Sequence, residues 1–169
     1  MKKDCSNTVG CRLYTSFLTA GIIFLLDFFS KAYIFFLVEK SDTPLPIKVF
    51  SNFFGIDAEI TYAKNEGAAW GMFHQFPELL VLFRLLLIVG LLIYLCFYVH
   101  STRLALPLSC IISGALGNVY DYFHYGYVID MIHLSFWGYE YPVFNIADSA
   151  IFCGALFLIF TTITNKSHS

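Results

Sequence analysis

Charge is what this 169-residue chain has least of: Asp, Glu, Lys and Arg make up 13% of it, about half the share usual in soluble globular domains. With 58% hydrophobic residues and a mean hydropathy of +0.69, a water-soluble fold is excluded, and a small integral membrane protein remains. An excess of positive charge is missing too. Ten Lys and Arg against twelve Asp and Glu leave a net charge of -2 and a pI near 6.2, so nucleic acid, which selects a basic patch or stripe, is excluded as a partner. Cys5, Cys11, Cys96, Cys110 and Cys153 are odd in number and lack metal-ligand spacing, and they read as small apolar residues. No internal repeat, low-complexity tract or second domain is visible. Only MKKD precedes Cys5, and the first apolar run is too extended for a signal-peptide core, so the N-terminal segment is expected to stay attached.

What is present is a set of four apolar runs, over residues 13–38, 79–99, 104–120 and 144–163. Three are long enough to span a bilayer as helices, and the third, of about 17 residues, is at the lower limit. Arg84, the single charge in the second run, lies close to its start and is expected to snorkel to the interface. Basic residues in short segments near helix ends mark the cytoplasmic side. Lys2, Lys3, Arg12, Arg103 and Lys166 put both termini in the cytoplasm and the connections 39–78 and 121–143 outside. Lys40, Lys48 and Lys64 in the first connection run against this orientation, whereas the second has no basic residue. Within the first, GIDAEITYA at 55–63 alternates apolar and polar residues, the period of a half-buried strand, which predicts a small sheet on the membrane surface between the first two helices.

One stretch, 117–148, carries Asp121, Asp130 and Asp148 without a Lys or Arg. Carboxylates at a membrane edge are costly and mark a functional site whose partner must be named. Asp130, in YVIDMI, has no solvation reason to be there. If it meets Asp148, two carboxylates share a proton, one staying acid while the other activates water. The competing reading of Asp148 is structural, because Asn145 three residues earlier forms a helix cap and an acid suits the first turn. Asn118 and Asp121, in GNVYD, suit capping, water binding or substrate orientation, and Asn65 in NEGAAWG suits either a turn or a grip on a peptide backbone. Asp27 and Lys31, four apart on the first helix, read as a structural ion pair facing the bundle interior. His124 and His133 lack any metal-ligand spacing, so no metal site is expected.

These motifs together resemble lipoprotein signal peptidase, or signal peptidase II. The resemblance rests on the Asp27–Lys31 pair, NEGAAWG at 65–71, GNVYD at 117–121, GYVID ending at Asp130 and FNIAD at 144–148, in order over nearly the whole chain. It implies a four-helix membrane peptidase with an extracytoplasmic β-cradle, Asp130 and Asp148 as its catalytic dyad, and Asn65, Asn118, Asn145 and Asp121 as residues that hold substrate or orient the dyad. The implied substrate is a prolipoprotein carrying a diacylglyceryl-cysteine, met in the lipid bilayer by a monomer at the extracytoplasmic face of the inner membrane. Such hydrolysis calls for no cofactor. The family commonly has Arg after the aspartate of GNxxD, where this chain has Tyr122, and Lys64, or Tyr122 with a water, is expected to take over part of that task. The alternative from another class is a small proton-coupled transporter or channel, which requires acids along a path across the bilayer.

Overall fold

The computed structural model describes residues 9–40, 45–66 and 77–166. Four helices, α1 (Val9–Lys40), α2 (Pro77–Phe97), α3 (Thr102–Tyr125) and α4 (Ile146–Lys166), are long and apolar enough to cross a membrane. Their surfaces are those of a protein solvated by lipid. Phe17, Phe29, Phe83, Phe97, Phe152 and Phe160 point outward, each more than half exposed, while Asp27, Lys31, Ser109, Ser113, Asn118 and Asp121 are buried. In hydrocarbon a polar group finds partners only inside the bundle, which inverts the sorting seen in water.

α3 is the axis of the bundle. Its most apolar stretch is 67% buried, against 17% for each of the other three helices, and it packs on α1, α2 and α4. Small residues allow the approach. A Cβ on Gly117 falls 2.5 Å from Asp27 Oδ2, and one on Gly114 collides with the Ala147 carbonyl of α4. Ser113 Oγ donates to the Ala20 carbonyl of α1 at 2.6 Å. Ile88 and Leu95 of α2 close the other side against Leu108, Ile112, Ala115 and Val119. α3 also runs beyond the apolar segment 104–120, because Asn118 and Asp121 find interior partners and need not end the helix. Gly126, at φ 83°, ends it instead, with its N–H donating to Tyr122 O.

A four-stranded antiparallel sheet sits at one end of the bundle. Its strands are β1 (Ile47–Phe53), β2 (Ile56–Asn65), β3 (Val128–Phe136) and β4 (Tyr139–Glu140), in that spatial order. The alternating run at 55–63 is β2, as expected, but the sheet is not confined to the connection between the first two helices. Half of it comes from the connection between α3 and α4, and Asp130 is a strand residue. The start of β3 is buried on both faces, so its sequence shows no alternation to read. Ile34 and Leu37 of α1 pack under β3 through Met131, fixing the sheet to the bundle.

Candidate active site

The last helix begins with a reciprocal cap. Asp148 N–H donates to Asn145 Oδ1 at 2.8 Å, and Asn145 N–H donates back to Asp148 Oδ2 at 3.3 Å. The structural reading of this segment therefore holds, and it leaves Asp148 Oδ1 to accept from Asn118 Nδ2 at 2.8 Å. Capping fixes the carboxylate at the positive end of a helix and aims it at α3.

Asp130 arrives from the sheet. The irregular pairing between Ile60 and Ala63 sets Ala63 opposite Asp130 and Asn65 opposite Val128, which puts Asn65 diagonally across from Asp130 on one face. Asn65 Nδ2 donates to Asp130 Oδ2 at 2.9 Å. Phe144 forms a bridge with Ile132, bringing the next residue alongside β3, where Asn145 Nδ2 donates to Asp130 Oδ1 at 2.7 Å. Asn145 thus touches both carboxylates. Burial, first, and the charge of Asp148, second, push the Asp130 carboxyl up to about 7, against the opposing effects of the Asn65 and Asn145 donors and the charge of Lys31.

Asp27 and Lys31 do more than neutralise each other. Lys31 Nζ lies 2.7 Å from Asp27 Oδ2, 2.9 Å from Asp121 Oδ2 and 3.0 Å from Asn118 Oδ1. Asp27 Oδ1 accepts the N–H of Ala147 at 2.8 Å, and Asp121 Oδ2 accepts the N–H of Ile129 at 3.1 Å. Ala147 immediately precedes Asp148, and Ile129 immediately precedes Asp130. One ammonium therefore holds two acids, and each acid holds the backbone next to one member of the carboxylate pair. Sequence spacing placed Asp27 with Lys31 but gave no sign of this second tier, whose contacts span up to 120 residues.

Asp130, Asp148, Asn65, Asn118, Asn145 and Asp121 are thus all brought together. The remainder of the NEGAAWG motif beyond Glu66 lies outside the described residues. Lys64 is exposed and sits with Nζ 4.8 Å from the centre of the Tyr127 ring, while Tyr122 is half-buried with its ring edge-on to Phe123. His133 pairs with Glu140 at 2.9 Å and His124 stacks on Tyr120. Among the described residues no group of three or more His, Cys, Asp or Glu is placed to hold a metal ion.

Fold and site define a class: a multi-pass membrane protein with two carboxylates joined through one residue, Asn145, at the end of the bundle that carries the sheet. The chain belongs to the signal peptidase II family, whose model, described as Signal peptidase (SPase) II, matches residues 19–164. The lipoprotein signal peptidase of Clostridium acetobutylicum is 35% identical over 143 residues, 83% of this chain and 88% of its own. That of Wigglesworthia glossinidia brevipalpis is 38% identical over 144 residues, 82% and 87%. A solved structure described as a bacterial membrane enzyme, determined by the in meso method at 2.3 Å resolution, superposes with a TM-score of 0.78 at 25% identity, covering 92% of this chain and 91% of that one. The protein is accordingly a multi-pass bacterial membrane peptidase.

Proposed function

We propose that the chain is an aspartic endopeptidase that removes the signal peptide from prolipoproteins, cutting before the diacylglyceryl-cysteine, with Asp130 and Asp148 as the reacting carboxylates. The observation that carries the reading is Asn145, whose side-chain NH2 donates to the Asp130 carboxylate while its backbone N–H donates to that of Asp148, so that one residue joins both groups. Asp148, at a helix N-terminus, takes a proton from a water as its oxygen attacks the scissile carbonyl carbon. Asp130, buried and raised to about 7, gives its proton to the carbonyl oxygen. When the resulting gem-diol collapses, one hydroxyl returns its proton to Asp130 as the carbonyl re-forms, the C–N bond breaks, and the proton held by Asp148 passes to the leaving amine. The two roles describe one proton shared between the carboxylates.

Asn118 and Asn145 orient Asp148, Asn65 orients Asp130, and Asp121 with Lys31 and Asp27 fixes the backbone beneath them. The sheet end faces the extracytoplasmic side and both termini face the cytoplasm, a reading supported by Arg12 and Arg103 near the opposite ends of α1 and α3. The substrate reaches the site from the bilayer, carried there by its own lipid, and the enzyme works as a monomer. A transporter is disfavoured because the acids form a cluster around Lys31 and not a path across the bilayer. Incubating the purified protein with a lipid-modified prolipoprotein, beside the Asp148→Asn variant, tests the reading. Cleavage by the parent and none by the variant is expected, and an inactive parent refutes it.

A further inference from the structure

α2 is the most apolar of the four spans, with a hydropathy of 2.8, and after Glu78 at its start it contains a single charge, Arg84. A basic residue there either reaches along the surface to the lipid headgroups or turns inward to an acidic partner. The helix face decides between them. Val81 and Ile88 are 5% and 3% exposed, whereas Leu82, Phe83, Leu86 and Leu87 are outward. Arg84 lies three residues after Val81 and four before Ile88, on their stripe, and is half-buried. It turns inward.

Its level along the bundle follows from the packing of α2 on α3. Ile88 belongs to the cluster that α2 forms with α3, and Arg84, one turn nearer the sheet end, lies toward the end of α3 that carries Asn118, the residue that donates to Asp148. Helical side chains lean toward the N-terminus of their own helix. For α2 that is the sheet end, so the guanidinium leans toward the carboxylate pair. It interacts electrostatically with both, with Asp148 more strongly than with Asp130. The other nearby cation, Lys31 of α1, is committed to Asp27 and Asp121. The groups β2, α3 and α4 turn toward the pair are Asn65, Asn118 and Asn145, all uncharged, with Asp121 behind them on Lys31.

We propose that Arg84 is a positioning residue of the dyad: from α2 it sets a permanent positive charge beside Asp130 and Asp148 and favours the state in which the pair carries one proton and one negative charge. This rests on the dyad reading given above. A unit charge within ~10 Å at an effective dielectric near 20 displaces a titration by on the order of one pH unit.

The test compares Arg84→Met, Arg84→Gln and Arg84→Lys with the parent, purified in detergent, through the pH dependence of kcat/KM on a lipid-modified prolipoprotein. In the two neutral variants both limbs of the profile move to higher pH by about one unit, and Arg84→Lys keeps the parent's limbs. Arg84→Gln, close to arginine in length, serves where Met fails to fold. Infrared titration of the carboxyl band, assigned with Asp130→Asn and Asp148→Asn, reads the same displacement without turnover, so an inactive parent refutes the cleavage reading and leaves this measurement standing. Limbs and band unchanged in the neutral variants overturn the proposal, as does an equal displacement in Arg84→Lys.

Discussion

Replacing Asp130 by Asn separates what the residue does for chemistry from what it costs the fold. The native side chain is 2% exposed, and burial together with the charge of Asp148 pushes its carboxyl up from the ordinary 3.8 to about 7. The folded state therefore holds its proton more tightly than the unfolded state. That contribution is fully present below pH 3.8, declines as pH rises, and is lost through 7. A rise from 3.8 to about 7 corresponds to about 4 kcal/mol, of which roughly 2.5 kcal/mol is lost between pH 5 and pH 8. Asparagine does not ionise and escapes the loss. It also turns an NH2 toward Asn65 or Asn145, each of which donates to Asp130, at a cost of about 1–3 kcal/mol that does not vary with pH. The variant is therefore expected to lose cleavage entirely. Its melting temperature relative to the parent, measured by intrinsic fluorescence in detergent, is expected to climb by about 5–10 °C between pH 5 and pH 8, taking about 2–4 °C per kcal/mol for a chain of this size. The absolute offset at either pH is secondary, because the mismatched amide moves the whole curve. A difference that stays constant across that interval refutes the placement of Asp130 as a carboxyl raised by burial.

Lys31→Met leaves Asp27 and Asp121 buried without their ammonium and is expected to destabilise the protein by about 3–5 kcal/mol, seen as a lower melting temperature together with lost cleavage. Gly117→Ala drives a methyl against Asp27 Oδ2 and is expected to cost about 1–3 kcal/mol in the same melting assay, with activity reduced because Asp27 holds the Ala147 N–H. Asn65→Ala removes a donor that lowers the Asp130 titration, so the alkaline limb of the pH–rate profile is expected to move to higher pH, and an unmoved limb counts against the Asn65 contact. Asn145→Ala removes the α4 cap and the amide on Asp130. It is expected to lose about 1–2 kcal/mol of stability and to lower kcat far more than it changes KM, which steady-state kinetics separates.

The spans were legible because lipid solvation writes itself as unbroken apolar runs, and β2 because one of its faces is wetter than the other. Asp130 stood out for the same reason, a lone carboxylate among apolar neighbours. β3 was hidden by its burial: with both faces covered, VIDM carries no period. The helical extent of α3 was hidden because Asn118 and Asp121 look like the polar end of a span until Lys31 is seen opposite them. Arg84, close to the start of its run, reads as a snorkelling residue, while its spacing from Val81 and Ile88, three and four residues, sets it on the packed stripe of α2, where it is half-buried. The links from Asp27 to Ala147 and from Asp121 to Ile129 had no local signal, since they join a side chain to a backbone N–H and place no demand on the identity of the residue that offers it.

That last arrangement bears on how the site comes into being. Lys31 and Asp27 emerge together on the first helix and neutralise each other one turn apart, so α1 enters the bilayer as a self-contained unit. Asp121 follows on α3, Asp130 on β3, and Asn145 with Asp148 at the start of α4, about 115 residues after Lys31. Until that final segment folds back and the Ala147 N–H reaches Asp27, Asp130 and Asp148 are not joined through Asn145 and have no fixed backbone. In chain order, then, the carboxylate pair is the last part of this network to be completed, after the ion pair that anchors it.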